Sequence, residues 1–344
     1  MTQATLYIDT DAICTNWAAM DAKSASHVET GAVVKADGYG LDAGRVAKVL
    51  ADGGVRTFFV AEANEGIAVR KAVGNIPEIY VFSGMMLSDA ATLNSYNLIP
   101  LLNAPEQFTR FRAQLPDAQF GVQLDTGMNR LGMEADEFAP LRIEAVNARL
   151  IISHLACADE PDHAQNAAQL AAFHGVSDGL GVRRSLAATG GVMLGSDYHF
   201  DLCRPGIGLY GGAPFDDAVP VVRLQIPVIQ SRLVQKGESV GYGASWIAPR
   251  NSRVATIAAG YADGLIRAAS NGGVKVFADG VPCPVIGRVS MDLITVDVTA
   301  LDRVPETVEI LNAVQTVDDL AAHAGTIGYE ILTSLGARYA REYL

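Results

Sequence analysis

Between Gly31 and Gly212 short apolar runs alternate with longer, Ala-rich stretches of helical spacing. This beat constrains the fold more than any other feature. The runs fall at 32–35, 57–61, 78–83, 98–102, 119–124, 150–154, 184–188 and 201–206. Between them lie DAGRVAKVLADGG, EANEGIAVRKAVG, SDAATLNSYN and HAQNAAQLAAFHGV. Several of these begin with an Asp, Ser or Glu suited to a helix start. Strand and helix alternating over about 180 residues predicts a parallel (β/α)8 TIM-like barrel rather than an open sheet.

The pattern changes after about residue 220. VVRLQIPVIQSRLVQ, RVATIAAGYA, VKVFADGVPCPVIG and LITVDVT read as strands parted by Gly, Pro, Asn and Asp. ADGV, Ala278 to Val281, carries the Asp-Gly of a tight hairpin. Two short helical patterns close the chain. The expected organisation is a barrel domain over 1–218 and a mostly β domain over 219–344.

Charge and cysteines narrow the function. The net charge of -12 and the lack of a basic block argue against nucleic acid as a partner. Cys14, Cys157, Cys203 and Cys283 form no C-x-x-C pair, so no metal site, redox motif or disulfide framework is expected. No signal peptide is visible in MTQATLYIDTDAI, and no apolar run reaches the roughly 18 residues of a membrane helix. A cytoplasmic chain without membrane contact is expected.

Barrel chemistry gathers at the carboxyl ends of the strands. That rule singles out Lys35, Arg130, His154, Thr189 and Arg204–Gly206. A lysine in a partly dry site has a lowered pKa and can form a Schiff base. On pattern alone, a lysine that snorkels its head to solvent explains Lys35 more readily. The loops after the seventh and eighth strands, ATGG and RPGIGLYGG, are rich in small residues that let backbone N–H groups approach an anion. Gly206, Gly208 and Gly211 fit G-x-G-x-x-G, but no clear helix follows them, so they do not read as a dinucleotide fingerprint. A Schiff-base lysine facing a phosphate loop suggests pyridoxal 5'-phosphate.

AVVKADGYG, DTGMNRLGM, SHLACAD, CRPGIGLYG, VGYGASW, GYADG, VIGRVSMD and TIGYEI resemble, in order along nearly the whole chain, the signatures of the PLP-dependent alanine racemases. The resemblance implies fold type III of the pyridoxal phosphate enzymes, a barrel followed by a β domain. It implies that Lys35 holds the cofactor as a Schiff base and serves as base on one face of the substrate Cα. Tyr242 would be the base on the other face, supplied by the partner in a homodimer with composite active sites. Two opposed groups are needed because racemisation takes a proton from one face and returns it to the other. Tyr39, Thr189, Gly206, Ile207 and Tyr329 match the phosphate group. Arg204 would face the pyridine nitrogen, with His154 linking it to Tyr242. Arg130 would hold the phenolic oxygen and approach the substrate carboxylate, which the Met291 backbone also meets. Tyr261, Arg288, Asp292, Ile327 and Tyr329 resemble an access corridor.

One position departs from the family. A lysine, carbamylated in many members, stands seven residues before the arginine; here the residue is Gln123. A neutral amide cannot supply that anion, so a bound chloride or another protein group is expected beside Arg130. The implied activity is interconversion of L- and D-alanine for peptidoglycan. The alternative is a serine or broad-specificity racemase on the same scaffold. A decarboxylase of this fold pairs the ring nitrogen with a carboxylate, which Arg204 contradicts.

Overall fold

The computed structural model describes residues 3–270 and 273–344, and its contacts divide the chain into two compact units. In the unit Ile13–Ala218, seven parallel strands lie in chain order: Ala32–Val33, Thr57–Val60, Glu78–Val81, Ile99–Leu102, Gly121–Gln123, Ile151–Ile152 and Arg184–Ser185. The eighth, Leu202–Cys203, pairs in parallel with Glu29–Thr30, just ahead of the first. Backbone bonds close the ring on both sides of it. Gly31 and Val33 donate to Cys203 O and Pro205 O at 2.9 and 3.0 Å, and Arg204 donates to Ala187 O at 2.8 Å. The barrel is the expected one.

Seven of the eight strands end earlier than the apolar runs suggest, Ile99–Leu102 being the exception. Lys35, Ser83, His154, Ala188 and Gly206 lie beyond the ladders. The chain turns out at the barrel mouth there: Ser83 N–H donates to Ala61 O and Gly206 N–H to Thr189 Oγ1, both outside the strands. Helices Ala43–Asp52, Ala63–Val73, Ala90–Ser95 and Ala164–Ser177 occupy the Ala-rich stretches. Asp42 starts the first of these by accepting the Arg45 N–H at 3.1 Å.

The barrel interior is layered. At the amino end, Glu78 takes Arg149, Arg183 and the Tyr80 hydroxyl, while Glu29 takes Arg183 and Thr57. This polar plug leaves the opposite mouth for chemistry. Above it Phe59 stacks between Tyr80 and Phe82, with ring centroids 5.3 and 5.4 Å apart.

The second unit joins Met1–Ala12 to Val219–Leu344. Its first strand, Thr5–Ile8, pairs with Val222–Val234 and Ala340–Tyr343, so this strand belongs to the second sheet and not to the barrel. The long strand Val222–Val234 is irregular between Val228 and Gln230, and so pairs with both Thr307–Leu311 and Ser252–Ile257. Six strands thereby close on themselves. The ADGV hairpin forms as expected: Asp279 and Gly280 have φ of 49° and 79°, the paired positive values that suit the twist of flanking strands. Helices Val317–Ala324 and Gly328–Ser334 finish the unit.

Candidate active site

Lys35 stands two residues past the first barrel strand. Val34 makes the last tie to the barrel, donating to Phe59 O at 2.8 Å. The next four residues coil left-handed: Ala36, Asp37, Gly38 and Tyr39 have φ of 52, 55, 64 and 57°. Three of them carry a Cβ, and each such residue costs about 1–2 kcal/mol. Local contacts offset this strain. Ala36 N–H donates to Glu65 Oε1 at 2.8 Å, and Ala43 N–H to Asp37 Oδ1 at 3.0 Å. The Tyr39 ring stacks on Tyr210 at 4.4 Å, and the Tyr210 hydroxyl donates to Val33 O at 3.0 Å. The turn thus carries Lys35 at its start and Tyr39 at its end.

The Lys35 amine lies 5.8 Å from the centre of the Phe82 ring. It forms no ion pair among the described residues. Burial first, and then the charge of Arg130, hold the ammonium below the usual lysine range, while Glu65 pulls the other way.

Arg204 is fully buried without an acidic partner. Its guanidinium donates to Ser185 Oγ, to Ser153 O at 2.7 Å and to Leu186 O at 3.4 Å. Burial pushes its pKa down to about 10. The Ser185 hydroxyl gives its own proton to Leu202 O, which turns its lone pairs toward the arginine. His154 is pushed down to about 3 by burial and then by Arg204, Arg130 and Lys35, so its ring is neutral. The expected link between His154 and Arg204 is a through-space charge effect in this chain. Three bonds, to Ser185 and two carbonyls, leave other N–H groups of the guanidinium without a protein acceptor among the described residues.

Thr189, Gly206 and Ile207 meet where the last two barrel loops converge. Thr189 Oγ1 accepts from Gly206 and Gly208 N–H at 3.0 and 3.2 Å. A Cβ on Gly206 would lie 2.3 Å from the Tyr39 hydroxyl, so the tyrosine occupies space that only glycine leaves open. Arg130 is exposed on a loop that returns to its own strand, with Met133 N–H donating to Gln123 O at 3.0 Å. The Gln123 amide donates to Leu131 O at 3.3 Å, not toward Arg130. Among the described residues no acidic side chain forms an ion pair with Arg130.

The remaining expected residues lie in the second unit. Tyr242 opens the 3-10 turn Tyr242–Ala244 and is 72% exposed. A Cβ on the neighbouring Gly243 would come within 3.3 Å of the Arg288 guanidinium, so the turn rests on that arginine. Tyr261 and Met291 share a scaffold: Tyr261 N–H donates to Ser290 O and Ala262 N–H to Met291 O, each at 3.0 Å. Arg338 clamps it by pairing with buried Asp263 at 2.6 Å and with Asp292 at 2.7 Å. Ile327 and Tyr329 are exposed at the start of helix Gly328–Ser334.

Sequence reasoning passed over Glu65, Ser185 and Phe82. Glu65 stands three residues after Glu62 and reads as a helix-start signal, which it also is. Nothing in the local pattern reveals its bond to Ala36.

No helix among the described residues is long and apolar enough to cross a membrane. None of their His, Cys, Asp and Glu side chains form a group of three able to hold a metal ion.

A closed barrel with a lysine free of ion pairs and a small-residue loop at its carboxyl mouth, followed in sequence by a β unit, has the architecture of a barrel enzyme whose chemistry lies at that mouth. Comparison with known proteins agrees. The N-terminal domain of alanine racemase matches residues 8–214 and the C-terminal domain matches 221–343. An alanine racemase of Dinoroseobacter shibae is 61% identical over 345 residues, covering 100% of this chain and 99% of that one. One from a Ruegeria species is 59% identical with the same coverage. The crystal structure of alanine racemase from Bartonella henselae with covalently bound pyridoxal phosphate superposes with a TM-score of 0.93 at 37% identity, covering 100% of both chains. The chain belongs to the alanine racemases and is a racemase. The family implies pyridoxal phosphate as cofactor. The residues present fit that group: an amine free of ion pairs, a tyrosine hydroxyl brought against Gly206 where a Cβ would displace it, and a buried arginine with no acid beside it.

Proposed function

We propose that this chain interconverts L- and D-alanine with two opposed bases, Lys35 and Tyr242 of the partner subunit. The carrying observation is the Lys35 amine, held at a rigid barrel mouth without an acidic partner and with its pKa lowered. When bound, pyridoxal phosphate draws electron density away from the substrate's Cα–H bond. Lys35 holds the cofactor through its amine, and it takes or returns the proton at Nζ on one face. The hydroxyl of Tyr242 of the partner subunit does the same on the other face. The exposure of this side chain in the single chain, on a stiff turn, supports a homodimer with shared sites.

Tyr39, Thr189, Gly206 and Ile207 would hold the phosphate, with Tyr329 beside them. Arg130 and the Met291 backbone would bind the substrate carboxylate. Tyr261, Arg288, Asp292, Ile327 and Tyr329 would form a narrow corridor that suits a methyl side chain. Arg204 keeps its proton and so cannot protonate or deprotonate at the ring nitrogen as an acid would. That favours return of the proton to Cα over side reactions. The D-alanine formed would supply peptidoglycan from the cytoplasm.

Racemisation assayed across a panel that begins with alanine and serine tests the substrate, and serine turned over as fast as alanine would overturn it. Tyr242→Phe should slow Cα-deuterium exchange from L-alanine by about 100-fold or more, and from D-alanine far less. Equal loss for both enantiomers would refute the assigned faces.

A further inference from the structure

Glu65 lies in the first turn of helix Ala63–Val73, yet its carboxylate reaches across to the lysine's own chain. Oε1 accepts the Ala36 N–H at 2.8 Å. Oε2 accepts the Ala61 N–H at 2.7 Å, with the Glu62 N–H more distant at 3.4 Å. Ala36 follows Lys35 directly, and Ala61 follows the second barrel strand directly. One side chain therefore ties together the ends of the first two strands. Lys35 is pinned on both flanks, by Val34 N–H on Phe59 O and by Ala36 N–H on Glu65. The second anchor also holds the first left-handed residue of the strained turn.

Only a carboxylate can do this. Each of its two oxygens faces a separate N–H donor. A glutamine has one acceptor oxygen and would present its NH2 to the other donor. The charge has a second consequence. The groups that act on the Lys35 amine from other elements are Arg130 and Glu65, and Lys35 in turn acts on His154, which Arg204 and Arg130 also face. On the lysine's own turn, Asp37 is spent on the Ala43 N–H. Glu65 is thus the acid that opposes Arg130 at the Lys35 amine.

We propose that Glu65 is the positioning residue of Lys35, fixing its backbone at the barrel mouth and supplying negative charge to its amine. The inference rests on Lys35 being the cofactor-bearing lysine proposed above.

The test uses the holoenzyme and two variants, Glu65→Gln and Glu65→Asp. The cofactor's visible absorption band is titrated with pH, and cofactor per chain is measured after borohydride reduction. Glu65→Gln removes the charge that favours the protonated nitrogen, so the midpoint of the band's titration should fall by about one pH unit. Its kcat should drop about tenfold with KM for alanine changed less than about threefold. Glu65→Asp keeps the charge and both oxygens, so its midpoint should stay near that of the parent. A midpoint unmoved in Glu65→Gln overturns the proposal, including the case in which only thermal stability falls. If Glu65→Gln does not fold, the decision passes to Glu65→Asp. A parental midpoint with lowered kcat then supports the proposal, and parental values of both overturn it. Lys35→Ala separates the two levels. If it keeps the band, the lysine assignment itself fails; if it is colourless while the Glu65 variants are silent, only the present inference falls.

Discussion

Alanine at Gly206 should displace Tyr39 and weaken cofactor binding without touching any group that does chemistry. Gly206 is not in the left-handed region, with φ of -121°, and the perturbation of interest is the clash of the added methyl. That methyl would lie 2.3 Å from the Tyr39 hydroxyl oxygen and 3.3 Å from the ring carbon bearing it. Non-bonded heavy atoms settle at about 3.5 Å, so the hydroxyl must retreat by about 1 Å. The ring has little room, being 4% exposed, stacked on Tyr210 at 4.4 Å and carried by a left-handed backbone. Overpacking of this kind costs about 1–3 kcal/mol. If the shifted hydroxyl also loses a charge-assisted bond to phosphate, binding weakens by about 1.5–3 kcal/mol, or roughly 10- to 100-fold. Cofactor content after dialysis against graded pyridoxal phosphate, read beside Tm, measures both effects. The double variant Gly206→Ala/Tyr39→Phe removes the clashing oxygen. It should regain the lost stability but not the cofactor affinity, so the two changes should not add in Tm. Parental affinity and Tm in Gly206→Ala, or strict additivity in the double variant, would refute the steric argument.

Two further outcomes concern the charged groups. His154 is neutral in the fold with its pKa near 3, against 6.5 when unfolded. Its contribution to stability is therefore complete above about 6.5 and lost as pH falls toward 3, on the order of a few kcal/mol. In urea unfolding at pH 7 and pH 4, His154→Gln should lose less stability between the two than the parent, and an equal loss would sink the point. Arg130 lacks an acidic partner, so a bound anion such as chloride should orient it. KM for alanine should rise about threefold or more when chloride is replaced by a bulky anion, while unchanged KM together with a density map showing only water beside Arg130 would remove the idea.

The fold was legible because its signal is periodic. Eight apolar runs set the barrel, and the turn residues of ADGV set a hairpin that formed as read. The strand ends were not legible, since Lys35, His154 and Gly206 continue apolar runs yet lie beyond the ladders, and only tertiary contacts such as the Gly206 N–H on Thr189 Oγ1 mark the change. The allocation of Thr5–Ile8 to the second sheet was equally hidden, because pairing with a strand more than two hundred residues away leaves no local mark. At the site, single residues were readable through whole motifs, as in RPGIGLYGG. What escaped were the supports. Glu65 looks like a helix start and Ser185 like an ordinary strand residue, and only tertiary placement turns them toward Ala36 and Arg204.

Those supports explain a charge pattern that would otherwise be unfavourable. Lys35, Arg130 and Arg204 all act on His154, and none of the three is in an ion pair among the described residues. A buried guanidinium would be stabilised more simply by a carboxylate, yet position 185 holds a neutral serine whose proton is committed to Leu202 O. An acid there would cancel the positive charge and, through the arginine, alter what the ring nitrogen meets. A positive charge on His154 would be a fourth and worsen the repulsion, and burial keeps that ring neutral. The surplus charge is left for a ligand with several negative groups. A phosphate, a phenolic oxygen and a substrate carboxylate together meet that need, whereas a neutral aldehyde does not. Glu65 is the exception that fits the rule. Its charge favours the protonated amine, against the burial and Arg130 that lower its pKa, and leaves the buried arginine uncompensated.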